Sequence, residues 1–558
     1  MSVPFSNAWG RFFNLLRVER KDILQIFYYA LFAGVLSLSL PLGVQAIINL
    51  IQGAQISSSW VILVVLVTLG VSFTGTLQIM QMRIIETLQQ RIFTRASFEL
   101  SYRFPKLKMK ALRSKYPPEL ANRFFDTLSI QKGLAKILID VPAALIQIVF
   151  TLILLSFYHP FFILFGLGLL FLMFFVFQYT VRRGLDTSIE ESKHKYKVAH
   201  WIQEIARSLV SFKLAAHSEL AMQKNDELVS GYLQAREAHF RIIKLQYIKL
   251  IGFKVAVTAG LLVIGGALVL NQQMNIGQFV AAEIIILLVI ASVEKLIVSL
   301  ETLYDMLTSI EKLGQLVDLE TEEQEGKRLD PAAPFVIELK DIEYQVADRD
   351  RPILSGINLS LRPKEVTLIR GASGSGKSSL LRLLAGVISP TKGTVFVGQH
   401  NLKALQINHY RAQLGLSLSD EAPFEGTLKE NLTFGDPTIN EGSIREVLDA
   451  LGLQEFVKQQ AYGLETVINP EGQHISYSVT KKLILARALL HQPKCLILED
   501  PLDIFTNGET ESIIDYLCAP EHPWSVVVVS NNTYWDGKCH QYIELDEGRL
   551  IRSKTEPC

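Results

Sequence analysis

Charge is absent from long stretches of the first half of this 558-residue chain. No Asp, Glu, Lys or Arg stands between Asp22 and Arg83, nor between Asp140 and Arg182. A water-soluble fold does not leave so much contiguous sequence uncharged, because exposed apolar surface of that extent associates. Net charge is absent as well, since 55 Lys and Arg offset 55 Asp and Glu. The totals offer no basic excess for nucleic acid, and no basic patch with interleaved aromatics supplies one locally, so no nucleic-acid partner is expected. Cysteine is scarce: Cys495, Cys518, Cys539 and Cys558 all fall late in the chain. Without metal-ligand spacing they argue against a metal cluster and a disulfide framework, and reduced structural thiols in a cytosolic domain are expected. Internal repeats and low-complexity segments are also missing.

What is present reads as a membrane protein with a soluble second half. Hydrophobic residues make up 49% of the chain and the mean hydropathy is +0.25, too apolar for an ordinary soluble enzyme. The gap at 23–82 has room for two spanning helices of about 20 residues each. They are expected at 23–51 and 60–82, with Gln52 to Ser57 as the turn. The second uncharged tract divides at His159-Pro160, because proline disfavours the helical conformation of the residue before it; helices are expected at 141–158 and 160–181. A third pair is expected at 255–270 and 278–300, joined by Asn271 to Asn275. The three short turns carry no Lys or Arg, whereas the long connections, 83–140 and 182–254, are rich in both. By the positive-inside rule the long connections, both termini and the C-terminal half are cytoplasmic.

Ahead of the first span, Phe5, Trp9, Phe12, Phe13 and Leu16 recur at helical spacing beside Arg11, Arg17 and Arg20. An amphipathic helix at 1–21, lying on the inner leaflet, is expected, without a cleavable signal. The long connections read as cytosolic extensions of the spanning helices. Their short turns, near Pro118 to Arg123 and Ser208 to Lys213, face the soluble domain. Three carboxylates stand out in the last span: Glu283, Glu294 and Glu301, 11 and 7 residues apart, fall within about 20° of one helical face. They suit either a cavity row facing a cationic or polar substrate or, for Glu294 and Glu301, an ordinary cytoplasmic extension. The charged, breaker-rich stretch from Glu320 to Lys327, followed by Pro331 and Pro334, marks a linker at 311–335 ahead of a domain at 336–558.

In that domain Gly371-Ala-Ser-Gly-Ser-Gly-Lys377-Ser378 fills every fixed position of the phosphate-cradling pattern G-x-x-x-x-G-K-[ST]. A strand-like run, Glu365 to Arg370, precedes it, and a helix-like run from Ser379 follows. Backbone N–H groups of Gly371, Ser373, Gly374, Ser375 and Gly376, together with Ser379, are expected to cradle the phosphates of ATP. Lys377 reaches the β/γ oxygens and the Ser378 hydroxyl serves Mg²⁺. The domain is expected to be an α/β P-loop NTPase.

The whole chain resembles an ABC exporter half-transporter: elbow helix, six spans, two long intracellular loops, then an ATP-binding cassette. Residues 276–281 (IGQFVA) are similar to the start of the sixth span in the bacterial protein- and peptide-secretion branch; the N-terminal peptidase domain present in some relatives is not expected in this sequence. Phe424 to Leu432 (FEGTLKENL), Leu485 to Leu490 (LARALL) and Leu496 to Asp500 (LILED) follow the P-loop in the family's succession. The resemblance implies a head-to-tail dimer with a second half-transporter, identical or different. It also implies ATP and Mg²⁺ as cofactors, a lipid bilayer, an unnamed exported substrate and a bacterial inner-membrane location.

The departures from the family are as informative. Ser419 stands where a glutamine couples Mg²⁺ to the membrane domain. The Leu-Ser-Gly-Gly-Gln signature reads Ile475 to Val479 (ISYSV), keeping only Ser476 as a contact to partner-bound nucleotide. Glu499 and Asp500 replace the Asp-Glu pair, which leaves Glu499 for the metal and Asp500 as a shortened catalytic base. Asn531 replaces the switch histidine and cannot carry an imidazolium charge. The adenine-stacking aromatic aligns near Val346, with Tyr344 as a substitute. Two function classes follow: an exporter subunit driven by ATP binding, with hydrolysis weak or supplied by a partner, or a membrane regulator or scaffold that uses nucleotide as a structural or sensing ligand.

Overall fold

The computed structural model describes residues 5–52, 58–113, 115–330, 333–346, 349–502, 505 and 507–554. The turn expected at Gln52 to Ser57 lies, apart from Gln52, outside the described residues, as does Cys558. The chain divides into two compact units, Met1–Pro105 with Ser114–Leu319, and Lys106–Arg113 with Glu320–Cys558.

The first unit is helical. In order it holds α1 (Phe5–Val18), α2 (Arg20–Ser37), α3 (Ser39–Gln52) and α4 (Ser58–Arg103); α5 (Met109–Leu112) belongs to the second unit. Then follow α6 (Pro117–Asn122), α7 (Asp126–Ser156), α8 (Phe161–Arg207), α9 (Leu209–Leu214), α10 (Leu220–Leu270) and α11 (Ile276–Val317). Among the described residues, five segments are long and apolar enough to cross a membrane: Arg20–Gln52, Ser58–Lys106, Pro117–Ser156, Leu220–Leu270 and Ile276–Val317. α8 carries the tract expected at 160–181, where some side chains lie outside the described residues.

Local chemistry sets the breaks. The first spanning segment is two helices rather than one. Pro41 has no N–H for the Ser37 carbonyl, and its ring clashes there, so α2 stops at Ser37 and Pro41 falls in the first turn of α3. α11 starts at a capping box: Asn275 Oδ1 accepts the Gln278 N–H at 2.7 Å and Gln278 Oε1 accepts the Asn275 N–H at 2.9 Å. It then runs to Val317, so the first residues of the expected linker are helical.

Part of the apolar face of α1 packs against protein. Ala8 and Phe12 are buried in a cluster with Ile92 of α4, Leu134 of α7 and Ile310 of α11, while Phe13 and Val18 stay exposed. Ion pairs hold its middle and the residue that follows it. Arg11 meets Glu311 at 3.3 Å and Asp318 at 2.6 Å, and Glu19, after α1, meets Arg91 at 3.2 Å and Arg95 at 2.7 Å. Two of the three carboxylates on α11 are paired with cations of α10: Glu294 with Lys254 at 2.6 Å and Glu301 with Arg236 at 4.0 Å. Glu283 is exposed.

The second unit is α/β. Its elements are β1 (Ile337–Tyr344), β2 (Leu354–Leu361), β3 (Val366–Arg370), α12 (Lys377–Leu384), β4 (Lys392–Val397), β5 (His400–Asn401), α13 (Ile407–Arg411) and β6 (Leu414–Ser417). They continue with β7 (Gly426–Thr427), α14 (Leu428–Thr433), α15 (Glu441–Ala450), α16 (Gln454–Gln459), β8 (Val467–Ile468), α17 (Tyr477–Leu490) and β9 (Cys495–Glu499). The last are α18 (Asn507–Leu517), β10 (Ser525–Val529), β11 (Gln541–Asp546) and β12 (Arg549–Lys554). The main sheet has the order β12-β11-β3-β10-β9-β6, parallel except for the β11–β12 pair.

Both faces of this sheet are buried, as continuous apolar strands require. Leu496, Leu498, Val526 and Val528 point to a core shared with α15 and α17. The alternate residues Cys495, Ile497, Val527 and Val529 point to a second core with α12 and the antiparallel sheet β2-β1-β4-β5. Cys495 is one such core residue, its thiol pushed up to about 11 by burial and therefore inert. Among the described residues Cys495 and Cys518 are free.

Candidate nucleotide-binding site

β3 ends at Arg370 and α12 begins at Lys377, so six residues carry the chain from sheet to helix. Glycine is required at both ends of that turn. At Gly371 (φ +155°) an added Cβ would lie 2.0 Å from the Leu545 carbonyl oxygen, and at Gly376 (φ +101°) it would lie 2.9 Å from the Ile353 oxygen. At Gly374 nothing lies within 4 Å of the same position. The loop is packed on its sheet side and clear on the other, as a phosphate cradle requires. Ser373 is exposed, Ser379 is half-buried, and Ser375 is buried with an unpartnered hydroxyl.

The Lys377 ammonium lies back across this loop, donating to the Gly371 oxygen at 2.9 Å and the Ala372 oxygen at 2.8 Å. The Ser378 hydroxyl is hydrogen-bonded to Glu499, at the end of the neighbouring region of sheet. Ser419 donates its N–H to Glu499 Oε2 at 3.1 Å. Burial pushes the Glu499 carboxyl up. Hydrogen bonds from Ser378 and Ser419, with the Arg382 guanidinium nearby, outweigh that effect and hold it below the usual carboxylate range. A hydroxyl and an oriented carboxylate thus meet beside the phosphate cradle, a donor set suited to a hard divalent cation. Arg382 also pairs with Asp420 at 3.1 Å.

Next to Glu499, Asp500 adopts a left-handed backbone (φ +41°), its N–H bonded to the Val529 oxygen at 2.9 Å. The segment after β10 is fixed by Arg370, which donates to the Ser530 oxygen at 3.2 Å and the Asn532 oxygen at 2.9 Å and pairs with Asp536 at 2.8 Å. Asn531, between those two carbonyls, is exposed. Val346 is only 4% exposed and packs inward, and Tyr344 is half-buried against the second core.

Ser476 stands apart from the cradle. It is the N-cap of α17, accepting the Val479 N–H at 3.3 Å and meeting the Ser478 hydroxyl at 2.9 Å. Tyr477 projects from the same helix start, 62% exposed, with the Lys481 ammonium 5.6 Å from its ring centroid. The residues expected for phosphate and metal therefore come together within one chain, and Ser476 does not join them. The contact that local sequence reasoning missed is Ser419 to Glu499, across 80 positions of sequence; only the replacement of the family glutamine drew attention to Ser419.

Residues 354–503 match the ABC transporter family, and residues 23–293 match the ABC transporter transmembrane region. The chain belongs to the ABC transporters. This ABC transporter is 27% identical over 292 residues to the leukotoxin translocation ATP-binding protein LktB of Mannheimia haemolytica, over 52% of this chain and 41% of that protein. The protein of the same name from Bibersteinia trehalosi gives the same figures. The matched region spans less than half the length of these curated relatives. A solved bacterial Atm1-family ABC exporter with ATP bound shares the fold with a TM-score of 0.81 at 17% identity, covering 97% of this chain and 96% of that one. The fold is that of an exporter, an integral membrane protein with a fused membrane domain and ATP-binding domain.

Proposed function

We propose that this chain is an exporter subunit whose conformational cycle is driven by ATP binding at its own P-loop, with hydrolysis weak or supplied by a partner subunit. The observation that carries this reading is the complete cradle: clear on its outer side, with Lys377 poised on its rim and Ser378 held against Glu499. On binding, the Lys377 ammonium exchanges its two carbonyl partners for phosphate oxygens. The Ser378 hydroxyl and Glu499 carboxylate would hold Mg²⁺, which when bound would supply positive charge against the phosphates. Ser419 spends its hydrogen bonds on Glu499 and is too short to act as the family glutamine does.

The assembly we propose is a head-to-tail dimer, homomeric or heteromeric, in a bacterial inner membrane, with the cassette and both termini cytoplasmic. Residues 22–310 form the membrane domain, 311–335 the linker and 336–558 the cassette, and Asp500 is the weak candidate for a base. Ser476 then faces nucleotide on the partner's P-loop. The relatives' names concern leukotoxin translocation, which makes a polypeptide the first substrate class to test.

The experiment is purification of the full chain from its native membrane, with identification of any co-purifying half-transporter and measurement of ATP-dependent uptake into inverted vesicles. Transport that survives loss of ATP binding at this P-loop overturns the reading. The regulator or scaffold reading draws on the altered positions Ser419, Asp500 and Asn531, and is distinguished by closure.

Tyr477 adds a bulky ring where small residues let helix-start N–H groups approach a partner's γ-phosphate. ATP is therefore expected to bring paired cassettes together only shallowly, and Tyr477→Gly to deepen that closure. Spin-label distances between cassettes, with and without ATP, measure this. Distances that stay fixed in both forms favour the regulator or scaffold.

A further inference from the structure

The segment after the last spanning helix does not behave as a free tether within the second unit. Leu107 and Thr321 form an antiparallel bridge, the Lys108 N–H donates to the Glu320 oxygen at 3.0 Å, and the Glu322 N–H donates to the Lys106 oxygen at 2.7 Å. The chain passes between its two units three times, at Pro105–Lys106, Arg113–Ser114 and Leu319–Glu320. The first and the last of these crossings lie in one short ladder. On the helical side, within the first unit, Arg103 at the end of α4 donates to the Val317 oxygen at the end of α11, 2.7 Å away.

From that ladder Glu322 reaches Arg411 of α13 in a two-pronged pair, at 2.6 and 2.7 Å, with side chains only 14% and 22% exposed. Arg411 also donates to the Gly386 oxygen at 2.6 Å, and the neighbouring Tyr410 hydroxyl donates to the Leu384 oxygen. Those two carbonyls close the C-terminal end of α12, whose first residue is Lys377.

We propose that this strap is a second coupling route from nucleotide to membrane domain. It runs from the P-loop along α12 to Gly386, through Arg411 and Glu322 to the shared ladder, and so to α4 and α11 together. The route avoids Ser419, where the family's glutamine is missing. Its steps are a rigid helix, a fork-shaped charge-assisted contact and a backbone ladder, which transmit displacement better than a flexible linker. The proposal rests on nucleotide binding at this P-loop.

Hydrogen exchange of the full chain in detergent, with and without Mg-ATP, tests it. In the unmodified protein, Mg-ATP is expected to slow exchange in segments 366–384, 104–110 and 320–329. In Glu322→Gln and in Arg411→Lys, which keeps the charge but loses the fork, the response at 366–384 persists and the other two are lost. The persisting response also shows that each variant is folded. A purely structural brace raises exchange in the strap equally with and without Mg-ATP, leaving the difference intact, and that result overturns the proposal. So does a response confined to 366–384 in the unmodified protein. No response at 366–384 removes the nucleotide-binding reading, and the strap with it.

Discussion

Replacing Lys377 with alanine is expected to lower Mg-ATP affinity roughly 10- to 100-fold while leaving the fold intact. The magnitude follows from the loss of charge-assisted hydrogen bonds worth about 1.5–3 kcal/mol, at about 1.4 kcal/mol per tenfold in affinity. The fold should survive because Lys377 opens α12, where alanine is a favourable helix residue. Its two bonds, to the Gly371 and Ala372 oxygens, leave behind carbonyls on a loop clear to water. Equilibrium binding of a fluorescent nucleotide measures the affinity, and a thermal melt checks the fold. Unchanged affinity in a folded variant refutes nucleotide binding at this loop.

The features legible in sequence are those where one physical demand acts on neighbouring residues. A bilayer excludes charge over a whole helix, so the gap at 23–82 and the first part of that at 141–181 coincide with helices long and apolar enough to cross a membrane. A phosphate cradle needs glycine, lysine and a hydroxyl at fixed spacing, so the strand–loop–helix around Gly371 is legible as well. Pairs distant in sequence leave no such trace. Glu322 and Arg411 are 89 positions apart, and each alone is an ordinary charged residue in a polar stretch. The apolar stripe of α1 is visible, but sequence alone does not say which of its residues meet protein; the structure buries Ala8 and Phe12 and leaves Phe13 exposed. The three glutamates of α11 share a face by periodicity, yet their partners Lys254 and Arg236 sit on α10, where no periodicity of α11 reaches. Pro41 is legible as a helix interruption only once its place in the first turn of α3 is known.

Hydrolysis by the purified chain is expected to fall far below the enzyme median of about 10 s⁻¹, and repairing one position should restore little of it. General-base catalysis needs a carboxylate within about 2.6–3.2 Å of the attacking water's proton, and Asp500 is a methylene short of the glutamate used in the family. Asp500→Glu alone does not solve this. The backbone there is left-handed (φ +41°), a conformation that aspartate tolerates better than longer side chains do. Ser419 remains bound to Glu499, Asn531 brings no imidazolium to the γ-phosphate, and Tyr477 still places an exposed ring at the start of α17. Groups that act as a unit are strongly non-additive: while the others are defective, mending one gives little. The combined variant Ser419→Gln, Glu499→Asp, Asp500→Glu and Asn531→His, with Tyr477→Gly, is therefore expected to gain roughly 100-fold or more over Asp500→Glu alone, the scale of a restored acid–base group. Steady-state phosphate release from matched preparations of the parent, the single variant and the combined variant measures all three rates. If Asp500→Glu alone recovers most of the gain, the base is the sole defect, and the altered signature, switch and Ser419 positions have no bearing on cleavage.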